Sequence, residues 1–343
     1  MLPDTATVKD IAEAAGVTPR TVTNALRQNE KGVRADARAR AQRIRDIAAE
    51  MGYRPHAGAR AMRRGSYRAF GVLSSSKAYA GALNQSSEWG MLEEAAKTGY
   101  HITIGQIPED MAAEADTLPN LIEDWMVDGM AISYAVEAPD ALLTALDRWK
   151  LPAVWINVKR KTDAVLFDDY GDALKAVNLL VDLGHDRILY LDRFRDGPDH
   201  YSVRDRRRGY LDGIGNLEPY IVMPPPRTAP NSRVQLEWAV GLLRRNPRPT
   251  AVIGYSLDHA LWFREAAFEL GLRVPDDLSI IGFSPAVSRS DLPFTPGQIL
   301  QPDFDMGRTV VRMLIEKIRL GNAPFPSRVL SGTVIPGDTV RKL

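Results

Sequence analysis

Five hydrogen-bond donors lie close together near the N-terminus, at spacings that place them on the outward side of one short helix. They are Arg20, Thr21, Thr23, Asn24 and Arg27. Guanidinium, amide and hydroxyl groups are the side chains that donate to base edges and phosphates when a helix enters the major groove of DNA. An ordinary helical hairpin with a polar face has the same composition. The donors therefore predict a DNA-reading helix only if the surrounding elements also fit.

The elements around these donors predict a helix-turn-helix. The stretch TVKDIAEAAGVTPRTVTNAL begins with Thr7, which can form a capping box with Asp10. Gly16 suits the left-handed residue that ends a helix, and Thr18 followed by Pro19 predicts the start of a second helix. In such a motif the second helix enters the major groove.

A third helix is predicted over residues 35–51. Ile44, Ile47, Ala48 and Met51 recur at helical spacing, so one face can close a three-helix core. The segment AGARAMRR that follows is too short to form a stable helix alone in water. It is expected to become helical only against a partner chain or DNA.

Composition and charge narrow the class of protein. The chain has 343 residues, 45% of them hydrophobic and 25% charged, and no Cys. No apolar run approaches the roughly 20 residues of a membrane span, and no signal peptide is evident, so we expect a cytoplasmic protein. Residues 1–64 hold 13 Lys and Arg against 7 Asp and Glu, whereas the whole chain holds 44 against 43. A basic head on a slightly acidic body favours contact between the head and a polyanion.

From Ala69 onward, short apolar runs alternate with amphipathic helices. The predicted strands are AFGVLSS, YHITIG, GMAIS, PAVWIN, AVLF, RILYL, YIVM, AVIGY and SIIGF. The predicted helices span 85–98, 117–126, 138–149, 170–183, 203–214, 231–245, 258–270 and 303–320. This alternation predicts an α/β body with two doubly wound parallel-sheet subdomains, and the tail after 303 is expected to cross back and complete both. Ligands in such folds bind beyond the carboxyl ends of the strands.

The head resembles that of the LacI/GalR transcription regulators. Their usual pattern is close to VTIKDVAREAGVSxxTVSRVLN, and the corresponding stretch of this chain reads ATVKDIAEAAGVTPRTVTNALR. The resemblance continues, in order, through AEMGYRPHAGARAMRRGSYRAFGVL, MVDGMAI, LPAVWIN, LGHDRILYL, RDRRRGY, ELGLRVPDDLSIIGF and ILQPDFDMG. It implies a repressor that binds a palindromic operator as a homodimer through an all-α helix-turn-helix head. A small molecule, typically a sugar or sugar derivative, is expected to control it from a body of periplasmic-binding-protein type.

The resemblance also implies a division of the chain. Residues 1–54 form the DNA-binding head, 55–66 the hinge, and 67–343 the body. The body divides into an N-subdomain and a C-subdomain. Their respective ranges are about 67–166 with 296–326, and 167–295 with 327–343.

By position in the family motif, three groups of residues contact DNA. Base reading is assigned to Pro19, Arg20 and Asn24, and phosphate contacts to Thr7, Thr18, Thr21 and Thr23. The alternative that the threonines are only caps and helix-face hydroxyls explains them nearly as well. The hinge residues His56, Ala59 and Met62 fall where the family reaches the minor groove. Met62 stands where the family has a leucine that wedges into the central base step of the operator. The alternative is that Met62 only packs against its dimer mate.

The same resemblance places an effector site between the two subdomains. Its candidate residues are Asn157, Phe167, Arg206, Ser256, Ser284 and Gln301, each of which could instead be a core or hinge residue. Ser256-Leu257 and Ser284-Pro285 stand where sugar-binding members carry carboxylates, and Leu83-Asn84 replaces an expected aromatic pair. Because Arg204, Arg206 and Arg207 are nearby, an acidic or phosphorylated ligand is also a candidate.

Two other classes of protein fit the sequence less well. An enzyme on a doubly wound fold is disfavoured, because the chain lacks GxGxxG after its first strand, GxxxxGK[ST], HExxH and GxSxG. No catalytic residue, metal or cofactor is therefore expected. A solute-binding protein without a DNA role is disfavoured by the basic head and the absence of a signal peptide. The effector's identity, and whether it releases or promotes DNA binding, do not follow from the sequence.

Overall fold

The computed structural model describes residues 6–26, 35–54, 61, 64–75, 83–107, 126–134, 138, 140–193, 200–225, 233–285 and 292–343. They belong to two compact units, Met1–Tyr67 and Arg68–Leu343, which we call the head and the body. The predicted helix 117–126 lies almost wholly outside the described residues, as do the hinge positions His56, Ala59 and Met62. In the described part of the chain, no helix is both long enough and apolar enough to cross a bilayer.

The head contains the three predicted helices, α1 (Val8–Ala15), α2 (Pro19–Ala25) and α3 (Ala35–Glu50). Their buried side chains form one cluster of Ile11, Ala12, Val22, Ala25, Ile44 and Ala48. The predicted three-helix core is therefore confirmed. Met51 was expected on the same face but is exposed, because α3 ends at Glu50 and Met51 lies beyond it.

The body contains two six-stranded sheets, and we call each sheet with its helices a lobe. The first sheet has the order β11-β5-β4-β3-β1-β2, and all of its pairings are parallel. Its strands are β1 (Ala69–Ser75), β2 (His101–Ile107), β3 (Gly129–Ser133), β4 (Ala153–Ile156), β5 (Ala164–Phe167) and β11 (Arg328–Leu330). Helices α4 (Gln85–Thr98) and α10 (Asp303–Arg319) cover one face, and α5 (Asp140–Trp149) covers the other.

The second sheet has the order β12-β10-β9-β8-β6-β7 and is parallel except for the edge strand β12. Its strands are β6 (Ile188–Leu191), β7 (Tyr220–Val222), β8 (Ala251–Gly254), β9 (Ser279–Pro285), β10 (Gly297–Gln301) and β12 (Thr333–Ile335). Helices α6 (Asp169–Asp182) and α7 (Tyr201–Ile214) pack on one face. Helices α8 (Arg233–Leu243) and α9 (Leu257–Glu269) pack on the other. Two doubly wound lobes were predicted, and this architecture confirms them.

Within the described residues, the chain passes between the lobes three times, after β5, after β10 and after β11. The predicted subdomain ranges need correction at the second and third passages. Strand β10 was assigned to the first lobe but pairs with β9 in the second, and β11 was assigned to the second lobe but pairs with β5 in the first. The apolar pattern of a strand shows that it is buried but does not show which sheet it joins.

Helices α4 and α10 approach each other backbone to backbone. A Cβ added at Gly307 would lie 2.0 Å from the carbonyl oxygen of Ser87, and one added at Gly90 would lie 2.0 Å from that of Phe304. No other residue type fits at these two positions without moving a helix. The glycines thus hold the N-terminal ends of α4 and α10 side by side.

Candidate functional site

The turn of the head is built from local hydrogen bonds that fix where α2 begins. Thr7 and Asp10 form the predicted capping box of α1, and Gly16 ends that helix with a φ of 63°. The Thr18 hydroxyl accepts from the Thr21 N–H, with Pro19 in the first turn of α2. These caps place the end of α1 and the start of α2 where the sequence predicted.

The outward face of α2 carries the predicted base-reading residues. Pro19, Arg20 and Asn24 are all exposed, while Val22 and Ala25 on the opposite face are buried in the head core. The exposed set therefore combines a guanidinium and an amide one helical turn apart. A guanidinium can form a bidentate contact with guanine, and a carboxamide with adenine.

The four threonines predicted to contact phosphates have hydrogen bonds inside the head. The Thr7 hydroxyl donates to Asp10 Oδ2 over 2.7 Å, and the Thr23 hydroxyl donates to the Pro19 carbonyl over 2.9 Å. The Thr18 and Thr21 hydroxyls are 3.0 Å apart and bond to each other. All four therefore act as caps or helix-face hydroxyls in the free protein, and phosphate contact stays a prediction.

A cavity of about 180 Å³ lies between the two lobes of the body. Its wall includes the last residues of four strands, namely Ile156, Phe167, Pro285 and Gln301, together with Tyr255 directly after β8. The cavity thus occupies the position beyond the carboxyl ends of the strands where doubly wound folds bind ligands.

The structure brings five of the six predicted effector residues to this cavity: Asn157, Phe167, Arg206, Ser256 and Gln301. Ser284 is the exception. It is buried, its hydroxyl donates to the Pro285 carbonyl, and it is not part of the cavity wall. Successive residues of a strand point to opposite faces, so Phe283 and Pro285 face the cavity and Ser284 does not.

Arg206 is held rigidly by the second lobe. Its Nε donates to Asp169 Oδ1 and one Nη donates to the Tyr255 carbonyl, each over 2.6 Å. The Phe283 ring lies 3.7 Å from the guanidinium carbon. Burial lowers the pKa of Arg206, but the neighbouring Asp169 carboxylate, together with Tyr255 and Tyr190, raises it overall. The cavity therefore presents a fixed guanidinium whose charge is already matched by Asp169.

The other two arginines proposed to favour an acidic ligand do not reach the cavity. Arg204 is exposed, and Arg207 is paired with the buried carboxylate of Asp192. Neither lines the wall. Because α7 turns by about 100° per residue, neighbours of Arg206 in sequence point away from it. The argument for an acidic or phosphorylated ligand loses two of its three residues.

A hydrogen-bonded chain that sequence reasoning missed crosses the cavity wall. His200 Nε2 lies 2.8 Å from the Asn157 carbonyl of the first lobe, and since a carbonyl only accepts, Nε2 carries the proton. Nδ1 therefore accepts from the Ser202 hydroxyl, which in turn accepts from Tyr255, each over 2.8 Å. Burial lowers the pKa of His200, so the neutral ring is favoured. This series of hydrogen bonds links the two lobes beside the cavity.

Two helix N-termini of the first lobe supply further polar groups of the wall. Asn84 caps α4, and its amide nitrogen donates to the carboxylate of Asp303, the first residue of α10. Tyr255 and Phe283 could have been found, because they stand at the ends of the predicted strands AVIGY and SIIGF. Nothing in the local sequence marks His200 or Asp303. Among the residues that the structure describes, no cluster of side chains suits a metal ion.

Two family models match the chain. Residues 7–56 match the bacterial regulatory proteins of the lacI family, and residues 177–340 match a periplasmic binding protein-like domain. The transcriptional repressor PurR of Escherichia fergusonii is 27% identical over 328 residues, which cover 91% of this chain and 90% of PurR. The chain belongs to the LacI family of bacterial regulatory proteins.

Solved structures share the fold of this LacI-family chain. A lac repressor dimer bound to operator and the anti-inducer ONPF has a TM-score of 0.79 at 20% identity, covering 98% of this chain and 100% of that one. The regulator CelR in complex with cellobiose has a TM-score of 0.62 at 20% identity, covering 97% and 99%. The relative PurR is a transcriptional repressor and not an enzyme, which agrees with the prediction that this chain is not an enzyme.

Proposed function

We propose that this LacI-family chain is a transcriptional repressor that binds a palindromic operator as a homodimer and is controlled by a small molecule in the inter-lobe cavity. The observation that carries the proposal is the combination of two sites in one chain. The head exposes Arg20 and Asn24 on a capped second helix, and the body encloses a polar cavity beyond its strand ends.

In the head, Arg20 and Asn24 supply sequence discrimination. A bidentate contact to a base edge contributes about 1–3 kcal/mol of preference for that base. Pro19 completes the reading face, and the threonines assist by positioning the helix on the phosphate backbone. Two heads on one dimer would read two half-sites, which is why the operator is expected to be palindromic. In the hinge, His56, Ala59 and Met62 would contact the minor groove between the half-sites.

In the body, the cavity suits a polar molecule about the size of a monosaccharide. Its volume of about 180 Å³ lies below the roughly 300–1,000 Å³ of pockets for drug-sized ligands. Phe167 and Phe283 supply apolar ring faces, and Asn157, Arg206 and Gln301 supply polar groups. We therefore propose a sugar or sugar derivative as the effector, in line with the cellobiose bound by CelR. Operator binding would place the protein in the cytoplasm, on the nucleoid.

The test is selection of bound duplexes from a random double-stranded library, followed by fluorescence anisotropy on the enriched sequence. We expect a palindrome. Arg20→Ala should weaken binding about tenfold and relax the preference at one symmetric pair of positions. Arg43→Ala, an exposed arginine on α3, is the matched control and should leave the base preferences unchanged. The proposal fails if no palindrome is enriched or if both variants behave alike.

A further inference from the structure

The Tyr255 hydroxyl ends the series of hydrogen bonds that runs from Asn157 through His200 and Ser202 beside the cavity. Tyr255 Oη lies 2.8 Å from Ser202 Oγ. Both residues belong to the cavity wall, as does His200. Each of the two hydroxyls carries a single hydrogen, and either could donate to the other. The direction of this one bond decides what Tyr255 can offer to a ligand.

The direction is set at the other end of the series, in the first lobe. The Asn157 carbonyl oxygen only accepts, so His200 Nε2, 2.8 Å away, carries a hydrogen. The His200 ring is buried, which lowers its pKa and keeps it neutral, so Nδ1 has no hydrogen. Nδ1 therefore accepts from the Ser202 hydroxyl over 2.8 Å. Because the single hydrogen of Ser202 is used in this bond, Tyr255 has to be the donor to Ser202 Oγ.

Tyr255 is also held firmly by the second lobe. Its N–H donates to the Leu191 carbonyl over 2.8 Å, and its carbonyl accepts from Arg206 over 2.6 Å. The Arg206 guanidinium carbon lies 4.5 Å from the centre of the Tyr255 ring, within the range of a cation–π contact. With its backbone and ring fixed and its hydrogen directed at Ser202, the Tyr255 hydroxyl can only accept from a ligand.

We propose that Tyr255 is a specificity-determining residue of the effector site, whose hydroxyl oxygen accepts a hydrogen bond from a hydroxyl or amino group of the effector. This inference rests on the proposed role of the cavity as the effector site. It adds the class of substituent that the wall next to β8 recognises. An ether, a fluorine or a carbonyl at the same place would bring two acceptors together with no hydrogen between them. Since Tyr255 is 7% exposed, water is poorly placed to compensate.

The variants that test this differ only in which buried tyrosine of the second lobe loses its hydroxyl. Tyr255→Phe removes the proposed acceptor and keeps the ring that Arg206 contacts. Tyr210→Phe is the matched control. The Tyr210 hydroxyl donates to the Ile188 carbonyl over 2.8 Å, and Tyr210 lies outside the cavity wall. Urea unfolding of the full-length proteins without ligand establishes that both variants fold.

The probes are monosaccharides in which each hydroxyl is replaced in turn by an amino group, by fluorine or by hydrogen. The parent is whichever of glucose, galactose, mannose and ribose binds the wild type most tightly in calorimetry. An amino group still donates, whereas fluorine and hydrogen do not. At one position, the hydroxyl and amino compounds should bind the wild type about tenfold more tightly than the other two, and Tyr255→Phe should abolish this preference there while leaving the other positions unchanged. Tyr210→Phe should show the wild-type pattern.

The hydrogen on His200 supplies a second measurement that needs no ligand. In full-length protein containing ¹⁵N-labelled histidine, NMR distinguishes a ring protonated at Nε2 from one protonated at Nδ1. The signals that disappear in His200→Asn identify this ring. They should show the hydrogen on Nε2. A hydrogen on Nδ1 would remove the argument that Tyr255 is the donor to Ser202, and would overturn the inference whatever the effector is.

The outcomes separate the two proposals. If a sugar binds the wild type but Tyr255→Phe keeps every preference of the wild type, the inference about Tyr255 is wrong and the cavity is still supported as an effector site. If Tyr255→Phe and Tyr210→Phe alter the preferences alike, the effect belongs to the stability of the lobe and the inference is again wrong. If none of the sugars binds the wild type, the proposed sugar-type effector is itself wrong, and the inference fails with it.

Discussion

Tyr201 and Asn157 join the two lobes through a side-chain hydrogen bond in which Tyr201 Oη donates to Asn157 Oδ1 over 2.7 Å. The same Oη accepts from the Phe167 N–H over 3.2 Å. Burial raises the pKa of Tyr201, so its hydroxyl keeps its proton. Asn157 has a φ of 54°, a conformation that Asn adopts more readily than most residues. The position of Asn157 in the cavity wall therefore depends on how the two lobes are placed relative to each other.

Tyr201→Phe should lower the free energy of unfolding by about 1–3 kcal/mol, because it leaves Asn157 Oδ1 and the Phe167 N–H without their partner. Urea-induced unfolding measures the change. Tyr170→Phe is the control, since it removes a hydroxyl that donates to Asp212 at the surface, 3.0 Å away, and should cost less than about 0.5 kcal/mol. Equal effects of the two substitutions would show that the inter-lobe contact contributes nothing beyond a surface bond.

Acid should destabilise the body through His185 and His200. Burial lowers the pKa of both rings below the ordinary value of 6.5. In the unfolded chain they bind protons below about pH 6.5, whereas in the folded protein they do so only at lower pH. Their stabilising contribution is therefore complete above pH 6.5 and is lost as the pH falls through the lowered values. The slope is at most about 1.4 kcal/mol per pH unit for each histidine.

The free energy of urea unfolding, measured in steps from about pH 7.5 to 5.5, checks the contribution of His200. His200→Asn keeps a residue that can cap α7 but cannot titrate, so its pH slope should be shallower than that of the wild type. His101→Asn changes an exposed histidine and should leave the slope unaltered. A wild-type slope that survives in His200→Asn would assign the pH dependence to other groups.

Gly307→Ala should destabilise the first lobe strongly, because its Cβ would lie 2.0 Å from the Ser87 carbonyl oxygen. Since two helix backbones must separate to accept it, we expect a loss of more than about 2 kcal/mol in thermal or urea unfolding. Gly241→Ala in α8 is the matched control, because its Cβ would meet no atom within 4 Å. That substitution should stabilise by about 0.5–1 kcal/mol through helix propensity. Destabilisation by both would point to a general intolerance of alanine in these helices.

Arg206→Met should cost about 3–5 kcal/mol, because it leaves the buried Asp169 carboxylate without its cation. Loss of effector binding in this variant therefore cannot be separated from loss of stability without a folding measurement. Circular dichroism during chemical unfolding supplies that measurement. Arg208→Ala, on the same helix with a 75% exposed side chain, should cost no more than about 0.5 kcal/mol. A stable Arg206→Met protein would mean that Asp169 gains water or another partner.

Thr7→Ala should destabilise the head by about 1 kcal/mol through loss of the capping box with Asp10. Thr7→Ser retains the hydroxyl and should restore most of the stability. A phosphate contact by the same hydroxyl would appear separately, as weaker operator binding in Thr7→Ala at a temperature where the head remains folded. If Thr7→Ala and Thr7→Ser bind operator equally well at that temperature, the threonine is a cap and not a DNA contact.

Local features of the fold could be predicted because they depend on residues close in sequence. The caps at Thr7 and Thr18 and the left-handed Gly16 follow from side chains within four positions of one another. The strands of the body were predictable because buried parallel strands form short continuous apolar runs. The positions of Asn157 and Arg206 in the family pattern predicted that both line the cavity, although no local sequence pattern marks either residue.

Features that depend on distant residues were not predictable. Asp303 meets Asn84 across 219 positions of sequence, and His200 meets Asn157 across 43. Ser284 was misplaced because a shift of one residue along a strand moves a side chain to the opposite face. The assignment of β10 to the wrong lobe has the same origin, since pairing partners are chosen in three dimensions and leave no mark on the strand itself.

The three passages of the chain between the lobes have a consequence for how this protein can be recombined. The last passage leaves β11 at the edge of one sheet and β12 at the edge of the other, only a few residues apart. Any truncation, fusion or crossover between related genes that falls between 169 and 330 divides both lobes at once. The head, by contrast, is one uninterrupted segment. New DNA specificities can therefore be acquired by exchanging a short stretch of gene, whereas the body has to be inherited whole.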